Sequence, residues 1–250
     1  MANIIRCKLP NGVNRFKPFT VSDYRDFLLV RNDMTNKSIE EQKEILDEML
    51  EDYFAEYPKS WRAYIFTTVF TSSIGKTKIP VAFECGSCGK KKQILFNLTQ
   101  PPLTNPVIET AGIKIEFDFP EEIIEDKTKM ILDSIRYVED SEAKYSWEDL
   151  DEPTKMAVID SIDFTVFESL INQMSPIHFE LNYGCCERHK AVYNDILDVF
   201  KLLLNPDEVF AFYQVNHLLV KNHYTMNSIM GMIPIERNIA LSLVEKDLKK

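Results

Sequence analysis

Four of the five cysteines in this 250-residue chain fall into two tight clusters nearly a hundred positions apart: Cys85 with Cys88, and Cys185 with Cys186. His189 follows three positions after Cys186. The first cluster stands in "VAFECGSCGKKKQILFNL", where apolar runs on both sides read as the strands of a hairpin over 78–98. The second, in "PIHFELNYGCCERHKAVYN", repeats that strand–turn–strand character over 176–194. Cys-x-x-Cys-Gly is the spacing of a zinc knuckle, whose tight turn aims two sulfurs at one point. Gly89 supplies a backbone conformation that other residues resist. Cys186-x-x-His189 offers the same spacing with an imidazole as second ligand. Two such turns facing each other supply four soft or borderline ligands to a tetrahedral Zn²⁺ and leave no position open. The candidate ligands are therefore Cys85, Cys88, Cys186 and His189, with Cys185 as the substitute for Cys186.

Three other readings compete with a metal. A thioredoxin-like Cys-x-x-Cys opens a helix after a strand, whereas "KKKQILFNL" returns as strand and the second cluster goes unexplained. A vicinal Cys185–Cys186 disulfide is strained and out of place in a reducing compartment. Four unremarkable thiols remain the plainest alternative. If a metal is held, it is structural. Closing a loop of about a hundred residues costs ~4–5 kcal/mol in the chain-entropy model. Zinc binding in small fingers is worth ~10–16 kcal/mol, which offsets that closure with a margin.

Composition narrows the partners. With 29 Lys+Arg against 39 Asp+Glu the net charge is −10, which repels a phosphate backbone over most of the surface. Nucleic acid is excluded as a main partner, and Lys90, Lys91 and Lys92 read as a solvated turn. No stretch approaches the ~18 unbroken apolar residues of a membrane span. The opening "MANIIRCKLPNG" lacks the apolar core of a signal peptide, so a reducing cytoplasm is expected.

The chain reads as one compact unit, 1–250, of α+β class: mostly helical, with the two knuckle hairpins brought together as a zinc-ribbon-like unit. Region 1–75 is mainly helical after an extended segment ending at Gly12. Thr20 or Ser22 caps a first helix, and Ser38 with Glu41 forms a capping box for a stronger one. Ile39, Ile45, Leu46, Met49, Leu50, Tyr53 and Phe54 recur along one face of the latter. "WRAYIFTTVFTSSIG" fits a strand or a buried helix equally. Region 99–175 reads as an insertion. It starts with a hairpin turning at Ala111-Gly112, continues helical over about 121–138, crosses the acidic stretch "EDSEAKYSWEDLDEP" as a loop or a short excursion, and ends in helices at 152–161 and 164–174. Region 195–250 is helical, with Asn205-Pro206 and Pro234 opening its longer helices. Phe210, Phe212, Tyr213 and Val215 spread over a wide arc, the mark of a helix covered on several sides or by a partner.

Catalytic patterns fail. "SSIGKTK" ends like a phosphate loop, but Phe70 stands where the motif needs a glycine. There is no His-Glu-x-x-His and no Gly-x-Ser-x-Gly, and His217 and His223, on or just beyond a helical pattern, read as core or surface histidines. Cys7 reads as a small buried hydrophobe. The residues alone imply a binding or assembly protein and no enzyme.

The opening "MANIIRCKLPNGVNRFKPFTVSDYRDFLLVRND" and the closing "VFKLLLNPDEVFAFYQVNHLLVKNHYTMNSIMGMIPIERNIALSLVEKDLKK" resemble the T4-like bacteriophage baseplate hub family, most nearly its hub assembly members. That resemblance implies a non-enzymatic, chaperone-like factor acting on phage baseplate hub proteins in the cytoplasm of the infected host and absent from the mature virion. It supplies no catalytic residues, and the zinc ligands come from spacing alone. A hub subunit retained in the virion is the competing class, and a zinc-ribbon regulator of phage transcription is a third. The helices at about 206–249 are the expected partner-binding face.

Overall fold

The computed structural model describes residues 4–248. The first three residues of the expected N-terminal extended segment and the last two of the expected C-terminal helical region lie outside them. The described chain opens with an antiparallel hairpin, β1 (Ile5–Leu9) and β2 (Gly12–Phe16). The extended segment therefore does not end at Gly12, which instead starts the second strand with φ 120°. Three helices follow: α1 (Val21–Asp33), α2 (Ile39–Phe54) and α3 (Lys59–Ile74). The N-terminal caps of α1 and α2 are capping boxes. Thr20 Oγ1 accepts from Asp23 N at 3.2 Å while Thr20 N donates to Asp23 Oδ2 at 2.7 Å. Ser38 and Glu41 make the same reciprocal pair.

Helix α3 resolves the ambiguous aromatic segment. Trp61, Tyr64, Ile65, Phe66, Val69 and Phe70 are all buried, so the helix is covered on every side and shows no amphipathic period. Two of its buried hydroxyls are satisfied locally: Thr67 donates to the Ala63 carbonyl and Ser73 to the Val69 carbonyl. Ser73 Oγ also accepts from Phe19 N at 2.8 Å, tying the β2–α1 connection to the helix.

The next strands form the first knuckle hairpin, β3 (Lys78–Glu84) and β4 (Lys91–Asn97). A four-stranded antiparallel sheet follows in the order β5 (Val107–Thr110), β6 (Ile113–Phe117), β7 (Ile135–Glu139), β8 (Lys144–Ser146). The Ala111-Gly112 turn has φ 48° and 83°, as a tight hairpin requires. The expected helix over 121–138 is corrected here. Only α4 (Lys127–Asp133) is helical, and the chain then enters β7 between β6 and β8. The acidic stretch is likewise not all loop, because it holds edge strand β8. Lys144 from that strand reaches Glu116 of β6 at 2.5 Å.

Helices α5 (Glu152–Asp160) and α6 (Phe164–Gln173) cover this sheet. The second knuckle hairpin, β9 (Phe179–Gly184) and β10 (Arg188–Tyr193), comes next. The chain ends in α7 (Ile196–Leu203), α8 (Glu208–Lys221), α9 (Met226–Gly231) and α10 (Pro234–Leu248). Pro234 opens α10 as expected. Asn205-Pro206 instead forms a turn ahead of α8, with Asn205 Oδ1 accepting from Asp207 N at 3.1 Å.

Three buried clusters result. The largest runs from Cys7 to Val244 and joins Phe27, Phe66, Phe70 and Phe200 to Phe212, Leu219 and Ile229, so both ends of the described chain share it. The second lies between the four-stranded sheet and α4–α6, around Ile115, Phe117, Ile131 and Leu170. The third holds the two knuckle hairpins against α3 and α7, through Ala63, Phe96, Phe179, Leu181 and Val199.

The C-terminus of α3 shows how tightly α10 closes on the body. Gly75 caps α3 at φ 66°, and a Cβ there would overlap the Ile235 side chain. Gly75→Ala combines backbone strain with a steric overlap, and is expected to destabilise the fold by about 1–3 kcal/mol. Urea unfolding measures it. An unchanged midpoint would mean that α10 does not press on this turn.

Candidate metal centre

Each knuckle is an alternating strand pair with one apolar face. On β3 and β4 that face carries Ile79, Val81, Phe83, Ile94 and Phe96; on β9 and β10 it carries Phe179, Leu181, Tyr183, Ala191 and Tyr193. The two faces pack together without strand pairing, so the hairpins remain separate two-stranded sheets. Phe96 is fully buried, with its ring centroid 5.5 Å from Phe179 and 5.4 Å from Tyr193. Phe83 lies 4.6 Å from Tyr183 near the tips.

Beyond this aromatic seam the tips bring Cys85, Cys88, Cys185 and Cys186 together. Their sulfurs all lie within 4.8 Å of one another, with Cys88 Sγ and Cys185 Sγ at 3.6 Å. A tetrahedral ion with Zn–S bonds of about 2.3 Å sets its sulfurs about 3.8 Å apart, so the donor set fits such an ion in size and softness. All five thiols are free. Cys85 is buried, Cys185 is half-buried, and Cys88 and Cys186 are exposed. The local fold builds the first turn: Gly89 N donates to the Cys85 carbonyl at 2.8 Å, and Gly89 takes φ 65°. Cys85 N then donates to the Lys90 carbonyl at 3.0 Å. No helix follows the Cys-x-x-Cys, which removes the thioredoxin-like context.

Of the residues singled out by spacing, the structure unites Cys85, Cys88 and Cys186, adds Cys185, and leaves out His189. The reason is register. His189 lies inside β10, paired with Tyr183, and its ring stacks on Tyr183 at 5.3 Å. The turn itself offers adjacent thiols instead, closed by Cys185 N donating to the Glu187 carbonyl at 3.2 Å. Spacing treated Cys185 as a substitute for Cys186, and the two stand side by side in the cluster.

The thiols differ in acidity. Backbone N–H groups of Cys186, Ser87 and Cys88 point at the Cys85 sulfur and lower its pKa to about 6. Cys186 is pushed up to about 11 by its hydrogen bond with Cys88 and the negative charge on Cys85. Cys185 is also raised, first through its bond with Cys88. One thiolate thus forms readily and resists its neighbours' ionisation, the condition that a bound cation relieves.

Comparison with known proteins gives two family matches. The family described as "T4 bacteriophage base plate protein" matches residues 1–201, and "Baseplate hub assembly protein Gp51 C-terminal domain" matches residues 203–249. No curated protein and no solved structure matches the chain. The border between the two matches falls at the end of α7, so the second covers α8–α10. Among the described residues no helix is long and apolar enough to cross a membrane.

The fourth ligand is open to direct measurement. With Co²⁺ as the probe, Cys185→Ser is expected to weaken binding by more than about 100-fold, beyond what losing a hydrogen-bond partner of a ligand costs. His189→Ala is expected to leave the thiolate-to-cobalt absorption unchanged. The reverse pattern would put the imidazole in the coordination sphere.

Proposed function

The chain belongs to the T4 bacteriophage base plate protein family and takes part in phage baseplate assembly, and we propose that it does so as a non-enzymatic, chaperone-like factor for the tail baseplate hub. The observation that carries this reading is the match of residues 203–249 to a hub assembly domain. Those residues also offer a contact surface. Helix α8 leaves Phe210 71 % exposed and Tyr213 exposed beside it, while α10 exposes Ile239 and Leu243. Partners are other baseplate proteins, met in the cytoplasm of the infected host. The net charge of −10 keeps such a factor soluble and off nucleic acid while it meets them.

A structural Zn²⁺ on Cys85, Cys88, Cys185 and Cys186 belongs to this reading. Four sulfurs fill a tetrahedron and leave no position for a reacting water, which suits scaffolding and not turnover. Its role is to lock together hairpins that the chain keeps remote.

A retained hub subunit is the second reading, favoured by the base plate description of the larger match. Quantitative protein analysis of purified virions separates the two. Absence of the chain from particles whose assembly requires it is expected. Presence in fixed stoichiometry would replace the transient factor with a subunit.

Metal removal provides a further test. Chelation removes the ion's binding free energy, about 4 kcal/mol for an ion a thousandfold above its Kd, and is expected to lower the melting temperature by about 8–16 °C in one cooperative step. An unchanged melting curve with the metal demonstrably gone would refute a structural ion.

Proton linkage follows from the thiol acidities. Cys85 is largely ionised above about 6, whereas Cys186 holds its proton up to about 11 and Cys185 is also raised. Capture of the ion must therefore expel protons, and apparent affinity should rise with pH through this window and fall towards acid. Competition against a chromophoric chelator at several pH values reads this out; a flat profile would exclude thiolate ligation.

A further inference from the structure

Arg237 is a buried cation for which no described residue provides a counter-ion. It lies in the first turn of α10 and is 8 % exposed. No carboxylate among the described residues is within ion-pair distance of it. Its Nη1 donates to Asn216 Oδ1 at 3.3 Å, and its Nε is buried with no hydrogen-bond partner. The guanidinium otherwise lies over the Phe212 ring at 4.7 Å and the Tyr24 ring at 5.9 Å. Burial pulls its pKa below the ordinary value. A cation in the first turn of a helix also faces the positive end of the helix dipole. Burying an unpaired charge is costly, and a structure that retains one holds a vacant electrostatic demand.

The same side chain lines a cavity of about 390 Å³ where α8 and α10 meet α1, α3 and β3. Lys76, exposed at the rim, adds a second cation. Ile74, Ile79, Leu202 and Leu203 make much of the wall apolar. Glu208 is the one acid among the lining residues, and its carboxylate accepts from the Tyr24 hydroxyl at 3.1 Å and forms no ion pair with Arg237. Two cations above an aliphatic wall select for an oxyanion carried on hydrocarbon.

We infer that this cavity binds a carboxylate borne on a short aliphatic stem, with the oxyanion on Arg237 and the stem against Ile79 and Leu203. The source is either a small free carboxylate or the carboxylate of a protein chain, and the cavity chemistry is the same for both. Its position gives the ligand a consequence. It touches the helices matched to the hub assembly domain and the body matched to the base plate family at once, so occupancy tightens their junction. The inference depends on neither the metal centre nor the assembly role.

The test uses the full chain. Butyrate, at ionic strength matched with chloride, is expected to raise the melting temperature by about 2–4 °C. The neutral isostere butyramide should not. Lys76→Gln weakens that protection and Glu208→Gln strengthens it, because both residues are exposed and each change removes a charge, while the amide in Glu208→Gln keeps an acceptor for the Tyr24 hydroxyl. Arg237→Met, which keeps the aliphatic stem on the rings, abolishes it. A short peptide ending in free leucine carboxylate, compared with the same peptide amidated, separates the sources. Protection by the free acid at lower concentration than butyrate identifies a chain end, and protection by butyrate alone identifies a small or side-chain carboxylate. Equal melting in butyrate and chloride would overturn the inference, and so would strengthened Arg237 pairing with Glu208, seen as a loss of stability in Glu208→Gln with no gain in butyrate protection.

Discussion

The aromatic seam between the two knuckle hairpins is the constraint on which the candidate metal centre depends. Phe96 against Phe179 and Tyr193, with Phe83 against Tyr183, holds together segments that the sequence keeps nearly a hundred residues apart. No strand hydrogen bonds cross between the hairpins, so side-chain packing, together with the hydrogen bonds among the cysteines at the tips, sets how those tips face. Aromatic pairs of this kind contribute about 0.5–1.5 kcal/mol each beyond their buried area. That is too little to close so long a loop unaided, and the seam works because α3 and α7 form its floor through Ala63 and Val199. An ion at the tips would add its free energy to a convergence already in place.

The same logic extends to the C-terminal helices. Residues 203–249 match a domain of their own, yet Phe212, Leu219, Ile229, Ala240 and Val244 are buried in the cluster that contains Phe27, Phe66 and Phe70. Val21 N donates to the Met232 carbonyl at 2.7 Å, and Ile235 fills the space that Gly75 leaves open. A surface made by α8 and α10 is therefore held in place by the body beneath it. Whatever meets Phe210 and Tyr213 meets side chains whose helix is anchored on its other faces.

Particular residues show where sequence reasoning succeeded. Thr20, Ser38 and the Ala111-Gly112 turn were legible because capping boxes and tight turns are local: the partner is three residues away and the chemistry is fixed by residue type. Both knuckle hairpins were legible from alternation bounded by turn residues. Ile135–Glu139 reads as helix in sequence because its apolar Ile135, Tyr137 and Val138 continue the period of the helix before it, and only pairing with β6 and β8 makes it a strand. Lys144–Ser146 was hidden among acids, since an edge strand needs few apolar residues of its own. Helix α3 was undecidable because burial on all sides removes the periodicity that identifies a helix.

Sequence by itself determined that four sulfurs belong to two hairpin tips, that the chain is acidic and of mixed α and β character, and that its ends resemble baseplate proteins. These are properties of residue type and short spacing, which need no knowledge of the rest of the chain. Tertiary structure decided which atoms meet. Register in β9 and β10 gave Cys185 a place in the cluster and turned His189 onto Tyr183, and the docking of α10 buried Arg237 beside an open cavity. Both outcomes depend on packing between segments distant in sequence, where a one-residue shift in a strand or a quarter-turn of a helix exchanges inside for outside.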